Sequence, residues 1–223
     1  MALSTVNAYE KLLNNEQIEK GLHRGMVGGN WEAIGKLQFQ FLLKQGLKPD
    51  DRLLDIGCGC LRGGLHFINF LQNKNYFGLD YNDSLITAGR LELEKADLID
   101  KQPLLLVSKN FELNKFECKF KFMISVSLFT HLPINMILRC LVNVKSQLTN
   151  EGSYYSSFFE VANDLELSEY KHDTGGFVTH FDKDPYHYSY NEMKAIAEKV
   201  GLKVDYLGDW GHPFSQKMLR FYR

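Results

Sequence analysis

No run of about 18 or more apolar residues occurs in the sequence, so it predicts no membrane-spanning helix. An excess of either charge is missing too, because 26 Lys and Arg stand against 27 Asp and Glu. That balance argues against a protein that binds nucleic acid over a broad basic surface. The first residues also lack the basic start and apolar core of a signal peptide. We therefore expect a cytoplasmic protein without a nucleic-acid partner.

Cysteines are few and follow no recognised spacing. Cys58, Cys60, Cys118 and Cys140 contain neither a zinc-type CxxC pair nor the pattern of a disulfide framework. Such a set indicates reduced thiols, in agreement with a cytoplasmic protein. The chain has 223 residues and is 44% hydrophobic, which is enough for one domain with a sizeable core.

Strand and helix patterns alternate along most of the chain. Helical spacing of apolar residues predicts helices over 31–45, 61–72, 82–96, 133–148 and 190–201, the third with its N-cap at Asn82 or Asp83. Short apolar runs predict strands over 52–56, 75–81, 103–108, 120–127, 152–161, 202–209 and 216–222. The alternation predicts an α/β, Rossmann-like fold with a seven-stranded, mostly parallel sheet and helices on both faces. Since no helix separates the last two strands, an antiparallel hairpin is expected at the C-terminus.

The stretch RLLDIGCGCLRGG, residues 52–64, links the first predicted strand to its helix. Gly57 and Gly59 let a ligand approach the backbone, and Asp80 ends the next strand, where a carboxylate binds two ribose hydroxyls. A dinucleotide site would need a third glycine at position 62, but Arg62 stands there, and no GxxxxGK[ST] phosphate loop occurs. Asp55 would repel pyrophosphate and could orient a cationic group. The pattern therefore predicts a nucleoside-like ligand other than a dinucleotide.

The segments LLDIGCGCLRGG and YFGLDYN resemble the first two motifs of the class I S-adenosylmethionine-dependent methyltransferases. The resemblance implies S-adenosylmethionine as cofactor and S-adenosylhomocysteine as product. It places the methionine part at the glycine loop, the ribose at Asp80, and the adenine near Tyr81 and Asn110, although the family more commonly has Asp at the last position. The implied cofactor residues are Asp55, Gly57, Cys58, Gly59, Asp80, Tyr81, Asn110 and Ser125.

The segment SVSLFTHLP follows the fourth predicted strand and brings polar side chains to the ligand edge of the sheet. His131 is the candidate general base, because imidazole titrates near neutral pH. The alternative is that His131 only packs at the start of the following helix. The [DN]PP[YF] tetrad, used by many methyltransferases that act on exocyclic or amide nitrogens, does not occur, which favours an oxygen acceptor.

Residues 161–188 fit neither the helix nor the strand period, and a loop of this length is typical of a lid or a binding element. A metal site was one alternative for its polar side chains, which are His172, His180, Asp182, Asp184 and His187. Because alternation along an extended segment would scatter them to both faces, we predict no metal. We predict substrate contacts from Tyr186 and His187 instead.

Two further segments, GLHRGMVGGNWE and DWGHPFSQKMLRF, resemble parts of small bacterial methyltransferases associated with surface-polysaccharide modification. They would supply Arg24, Trp31 and His212 to the substrate site, and Arg24 or Arg62 could meet a phosphate. The alternative for Arg62 is that it only caps or packs the helix that follows the glycine loop. The resemblance implies one methyltransferase domain over 1–223. Its parts are an N-terminal lid and helix (1–50), a cofactor-binding core (51–160), a substrate loop (161–188) and a C-terminal helix and hairpin (189–223).

The resulting hypothesis is O-methylation of a small polar acceptor, such as a sugar or phospho-sugar precursor of a bacterial surface polysaccharide. Three alternatives remain: an N-methyltransferase acting on a small molecule, an NAD-type oxidoreductase, and a non-catalytic module that binds S-adenosylmethionine. The expected partner is a small-molecule acceptor, and the sequence makes no prediction of oligomeric state.

Overall fold

The computed structural model describes residues 8–173 and 176–223. Contacts divide them into two compact units, residues 8–109 and residues 110–223. The predicted N-terminal segment 1–50 and substrate loop 161–188 lie partly outside the described residues, at 1–7 and 174–175. The start of the chain, on which the signal-peptide expectation depends, lies outside them as well. The single domain over 1–223 and its parts stay predictions.

The first unit contains three strands and five α-helices in its described residues. The strands are β1 (Leu53–Ile56), β2 (Tyr76–Asp80) and β3 (Leu104–Val107), and the helices are α1 (Asn15–Glu19), α2 (Leu22–Met26), α3 (Trp31–Lys44), α4 (Gly64–Phe70) and α5 (Asp83–Lys95). The strands run parallel in the order β3-β2-β1. All residues of β1 and β2 are buried, as expected for a parallel sheet covered on both faces.

The predicted elements of this unit are confirmed, and two short helices are added. Asn82 is the N-cap of α5, and its side chain accepts hydrogen bonds from the amides of Ser84 and Leu85. The helices α1 and α2, of five residues each, were not predicted, because one and a half turns are too short to show a helical period. A capping box between Asn14 and Gln17 starts α1.

The second unit carries two long helices and a mixed set of strands. The helices are α6 (Ile134–Gln147) and α7 (Tyr190–Val200), and the strands are β4 (Phe120–Ser125), β5 (Leu148–Glu160), β6 (Tyr170–Lys171), β7 (Val178–Thr179), β8 (His187–Tyr188), β9 (Lys203–Asp209) and β10 (Lys217–Tyr222). β4 pairs parallel with β5, and β10 pairs antiparallel with both β5 and β9. The predicted C-terminal antiparallel hairpin is therefore confirmed.

The segment 161–188 has more regular structure than its sequence indicates. β8 pairs parallel with the end of β5, and β6 pairs antiparallel with β7 in a separate small sheet. Strands of two residues are too short to produce a recognisable alternation, which is why the sequence predicts only a loop here.

The long helices of the second unit follow their sequence signals. α6 buries Ile137, Cys140, Leu141 and Val144, one stripe at helical spacing. α7 begins with a capping box between Ser189 and Glu192 and ends at Gly201, whose φ of 72° is a left-handed conformation suited to glycine.

Together these elements confirm the α/β, Rossmann-like fold with a mostly parallel sheet, helices and a closing antiparallel hairpin. Within residues 8–173 and 176–223, none of the helices combines the length and apolarity that crossing a bilayer requires.

Candidate functional site

The glycine loop leaves the end of β1 and turns back over the end of β2. Gly57 and Gly59 have φ angles of 77° and 53°, a backbone conformation that residues with a Cβ rarely adopt. The amides of Gly57 and Cys58 both donate to the carbonyl of Leu79, at 2.7 and 3.1 Å. The Cys58 thiol lies against β2, since a Cβ built on Gly78 would be 2.9 Å from its sulfur. The loop therefore offers backbone, rather than the thiol, to its outer side.

Asp55, the acid at the end of β1, is only 4% exposed. Its Oδ2 accepts a hydrogen bond of 2.8 Å from the hydroxyl of Tyr76. No group of the described residues donates to Oδ1. Burial raises the pKa of Asp55 from 3.8 to about 7, and the Tyr76 hydroxyl opposes the shift only in part. One oxygen of this mostly buried carboxylate is thus left without a protein donor.

Asp80, the acid at the end of β2, ties the glycine loop to α5. Its Oδ2 accepts from the amide of Gly59 at 2.8 Å, and its Oδ1 accepts from the amide of Asn82 at 2.9 Å. Burial raises the pKa of Asp80, although the amides of Asn82 and Gly59 oppose this. Tyr81, next in the chain, is half-buried. The sequence did not indicate the bond from Gly59 to Asp80, because it joins residues 21 positions apart.

A buried carboxylate fastens α2 to α5. Glu92, on α5, is 2% exposed and accepts from the ring Nε2 of His23 at 2.7 Å and from Arg24 Nε and Nη2 at 2.9 and 2.6 Å. The guanidinium of Arg24 also lies 4.7 Å from the ring centre of Trp31. Burial raises the pKa of Glu92, but the hydrogen bonds from Arg24 and His23 outweigh burial, and the pKa is lowered overall.

This cluster includes two of the predicted substrate residues, Arg24 and Trp31. Arg24 is already paired with a carboxylate, and Trp31 packs against both Arg24 and the ring of His23. Both residues lie in the segment that covers the glycine loop, because a Cβ built on Gly59 would meet Val27 at 3.1 Å. Their predicted contact with the acceptor stays a prediction.

The candidate base has a partner that the sequence did not reveal. His131 lies in a 3₁₀ turn (Phe129–His131) after β4, and its Nδ1 is 2.5 Å from Oδ1 of Asp184. The two side chains are 23% and 19% exposed, so solvent reaches the pair. The sequence grouped Asp184 only with possible metal ligands, since 53 positions separate it from His131.

The remaining residues of the predicted cofactor site in the second unit make hydrogen bonds within that unit. The Ser125 hydroxyl is completely buried and bonds to the hydroxyls of Tyr154 and Ser156, at 2.6 and 2.8 Å. Asn110 is exposed, and its Oδ1 accepts from Arg139 Nη1 at 2.9 Å. The predicted contact of Ser125 with the cofactor stays a prediction.

Of the predicted substrate residues on the segment 161–188, His187 is 3% exposed and Tyr186 is half-buried. The Nε2 of His187 faces the carbonyl of Glu166 at 2.9 Å, so Nε2 carries the proton and Nδ1 accepts from the Thr179 hydroxyl at 2.8 Å. By the same logic His172 donates through Nε2 to Thr179 at 3.0 Å. This relay fixes the two short strands and occupies His187 inside the protein.

His212 lies between the last two strands and is 5% exposed. Its ring stacks on Trp210 at a centroid distance of 5.4 Å and meets the edge of Phe214 at 5.6 Å. The residue therefore belongs to an aromatic cluster at the turn of the hairpin. Its predicted substrate contact stays a prediction.

No group of three or more His, Cys, Asp or Glu side chains among residues 8–173 and 176–223 is arranged to hold a metal ion. Several of the side chains considered from the sequence pair with other residues. His172 and His187 both bond to Thr179, and Asp184 bonds to His131.

Neither a protein-family model nor a curated protein matches the sequence. Solved structures do match the fold. An S-adenosylmethionine-dependent methyltransferase from Clostridium acetobutylicum ATCC 824 has a TM-score of 0.66 and 12% identity, over 94% of this chain and 99% of that one. Magnesium protoporphyrin IX methyltransferase from Synechocystis PCC 6803, with S-adenosylmethionine bound, has a TM-score of 0.63 and 15% identity, over 97% of this chain and 88% of that one. A glycopeptide N-methyltransferase complexed with S-adenosylhomocysteine has a TM-score of 0.61 and 14% identity, over 83% of this chain and 85% of that one.

The chain has the fold of the S-adenosylmethionine-dependent methyltransferases. In this methyltransferase fold, the glycine loop and the two acids of the first unit lie at the carboxyl ends of β1 and β2, the edge at which open α/β sheets bind ligands. His131, which is paired with Asp184, lies six residues after the carboxyl end of β4. The sequence predicted the strand ends correctly, and what it missed are the partners: Tyr76, Glu92 and Asp184.

Proposed function

We propose that this protein is an S-adenosylmethionine-dependent methyltransferase that methylates an oxygen of a small polar acceptor. The observation that carries the proposal is the buried pair of acids at adjacent strand ends, Asp55 and Asp80, on either side of a glycine loop with left-handed φ angles. Asp55 keeps an oxygen without a protein donor, and such an oxygen on a mostly buried carboxylate favours a ligand that donates to it.

The residues of the first unit fit the cofactor. Oδ1 of Asp55 would accept from the ammonium group of the methionine part, and Gly57 and Gly59 would let that part approach the backbone. The carboxylate of Asp80 accepts from the amides of Gly59, Asn82 and Tyr81, and we propose that its remaining lone pair and its outer side receive the ribose hydroxyls. Cys58, through its backbone, and Tyr81 and Asn110, near the adenine, complete the proposed set.

When bound, S-adenosylmethionine would supply a methyl group attached to a positively charged sulfur. The nucleophile would attack the methyl carbon in line with its bond to sulfur, and S-adenosylhomocysteine would leave. The acceptor hydroxyl must lose its proton during that attack, and His131 is the proposed base. Asp184 accepts from Nδ1 of His131, so it fixes the tautomer in which Nε2 carries the lone pair. The carboxylate also stabilises the imidazolium that forms when His131 takes the proton.

The acceptor is proposed to be a sugar or a similar polar ring compound, as the resemblance to polysaccharide-modifying enzymes implies. Residues 161–188 contain six Asp and Glu but only two Lys. Such an excess of negative charge repels phosphate, so we propose an uncharged sugar rather than a phospho-sugar. Trp31, Tyr186 and His212 are the proposed contacts, with aromatic faces that suit a ring.

An acceptor nitrogen is the second candidate, because one enzyme with this fold, the glycopeptide N-methyltransferase, methylates nitrogen. The absence of the [DN]PP[YF] tetrad and the presence of the His131–Asp184 pair favour oxygen. A nitrogen acceptor that is neutral at physiological pH needs no base before it attacks, whereas a hydroxyl does.

Calorimetric titration of S-adenosylmethionine and of NAD⁺ tests the cofactor. We expect wild type to bind S-adenosylmethionine alone, and Asp80→Ala to bind it about tenfold more weakly or worse, because two hydrogen bonds to a charged group are lost. The exposed Asp83, three positions further on, provides the control variant Asp83→Ala, which should bind as wild type does.

No binding of S-adenosylmethionine to wild type would contradict the proposal, and binding of NAD⁺ in its place would support an oxidoreductase. Release of S-adenosylhomocysteine in the presence of neutral sugars, then of phospho-sugars and amines, distinguishes an enzyme from a module that only binds the cofactor. Turnover with amines alone would replace oxygen by nitrogen as the acceptor atom.

A further inference from the structure

Arg62 is a buried cation without a carboxylate partner. Its residue is 9% exposed, and its Nη1 donates to the carbonyls of Val27 and Gly29 at 2.7 and 3.0 Å. Among residues 8–173 and 176–223, no Asp or Glu forms an ion pair with it. Arg24, in the same segment as Val27, shows the contrast, because Glu92 neutralises it.

The donors of Arg62 are only partly used. A guanidinium has five N–H groups, and the two on Nη1 meet carbonyls, so those on Nε and Nη2 have no partner among the described residues. Neither of these nitrogens is among the fully buried atoms of the described residues that lack a partner, so a ligand can reach both. A guanidinium largely removed from water is costly to keep charged unless an anion meets it. Burial accordingly lowers the pKa of Arg62. These features indicate a site for an anionic group that the protein itself does not supply.

The guanidinium lies beside the glycine loop. Val27, whose carbonyl accepts from Nη1, also lies within 3.1 Å of the position that a Cβ on Gly59 would take. Gly28 lies at the same place, since a Cβ there would be in ordinary contact with Nη1 at 3.8 Å. Asp55 is near enough to raise the pKa of Arg62 by its charge. An acid and a base with unused hydrogen-bonding groups therefore occupy the same region.

We propose that Arg62 binds the carboxylate of the cofactor's methionine part. The methionine part is a zwitterion, and Asp55 and Arg62 offer it one charge of each sign. The proposal rests on the proposed function and deepens it: the residue that breaks the third-glycine pattern is the anchor for the amino acid end of the cofactor. Two carbonyls hold Nη1 and orient the rest of the fork, and bidentate binding of a carboxylate requires such orientation.

A matched pair of ligands tests this assignment. S-adenosylhomocysteine and S-adenosyl-3-thiopropylamine differ only in the carboxylate, and calorimetry gives the affinity ratio for each protein variant. We expect wild type to prefer S-adenosylhomocysteine by about tenfold or more, as hydrogen bonds to a charged group require. Arg62→Met should reduce the ratio to near one, and Arg62→Lys should keep part of it. Arg24→Met is the control, and it should leave the ratio unchanged.

The outcomes separate the two proposals. A wild type that binds neither ligand overturns the proposed function and this assignment with it. A wild type that binds both ligands equally overturns the assignment alone, and this comparison needs no variant to fold. If Arg62→Met weakens both ligands by the same factor, Arg62 has only a structural role and the assignment fails. If Arg62→Met binds S-adenosyl-3-thiopropylamine as wild type does but no longer prefers S-adenosylhomocysteine, the assignment is supported.

Discussion

Replacing Asp55 by Asn should stabilise the protein at neutral and alkaline pH while weakening its binding of the cofactor. Burial raises the pKa of Asp55 from 3.8 to about 7, so the folded state resists its ionisation. The resulting loss of stability is absent at low pH, grows as the pH rises from about 4 to about 7, and is constant above that. The shift corresponds to about 4 kcal/mol at full size, because one pKa unit is worth about 1.4 kcal/mol.

Urea unfolding of both proteins without ligand, at about pH 5 and about pH 8, measures this effect. The stability of Asp55→Asn relative to wild type should rise by about 3 kcal/mol between the two pH values. Changes at the Tyr76 hydroxyl affect both measurements alike and cancel in the comparison. The exposed Asp50 gives the control, since Asp50→Asn should show no such rise.

Binding provides the second half of this prediction. Asp55→Asn should bind S-adenosylhomocysteine about tenfold more weakly or worse, since the proposed contact with the ammonium group loses its charge. A relative stability that stays constant with pH would refute the reasoning about burial. Unchanged binding would refute the assigned role while leaving the pKa argument intact.

Two other predictions concern buried and half-buried pairs. Glu92→Ala should lower the free energy of unfolding by about 3 kcal/mol near pH 7 in urea unfolding, because His23 stays buried without its partner and Arg24 loses two hydrogen bonds. In wild type this contribution should disappear as the pH falls below about 4, through the lowered pKa of Glu92. His131→Ala should reduce the rate of S-adenosylhomocysteine production about 10²–10⁴-fold, and Asp184→Asn less, with S-adenosylhomocysteine affinity unchanged in calorimetry.

Each of these predictions has a control variant. The pair of Glu16 with Lys20 is exposed, so Glu16→Ala should cost well under 1 kcal/mol. Asp182 is exposed two positions before Asp184, and Asp182→Asn should leave turnover unchanged. An equally small effect of Glu92→Ala would show that the cluster does not fasten α2. Full turnover by His131→Ala would show that His131 is not the general base.

The sequence was sufficient wherever the information is local. β1 and β2 are continuous apolar runs ended by an acid, so both strand ends and both acids of the candidate cofactor site could be predicted. Distant partners could not be predicted, because a single sequence gives no signal that two residues 53 or 69 positions apart meet, as in the His131–Asp184 and His23–Glu92 pairs. Very short elements were missed for the different reason that they carry no period.

Leu61, the residue before Arg62 at the end of the glycine loop, adopts a backbone conformation that is rare for a residue with a side chain. Its φ of 69° is a left-handed conformation that usually requires glycine, and a residue with a Cβ pays about 1–2 kcal/mol for it. The side chain is completely buried, which contributes about 1.5–3 kcal/mol and offsets that strain. Space for it comes from glycines elsewhere, since a Cβ on Gly64 or Gly89 would lie 2.8 or 3.0 Å from Leu61. Gly64 on α4 and Gly89 on α5 therefore leave room for the side chain of Leu61, which packs the end of the glycine loop against both helices.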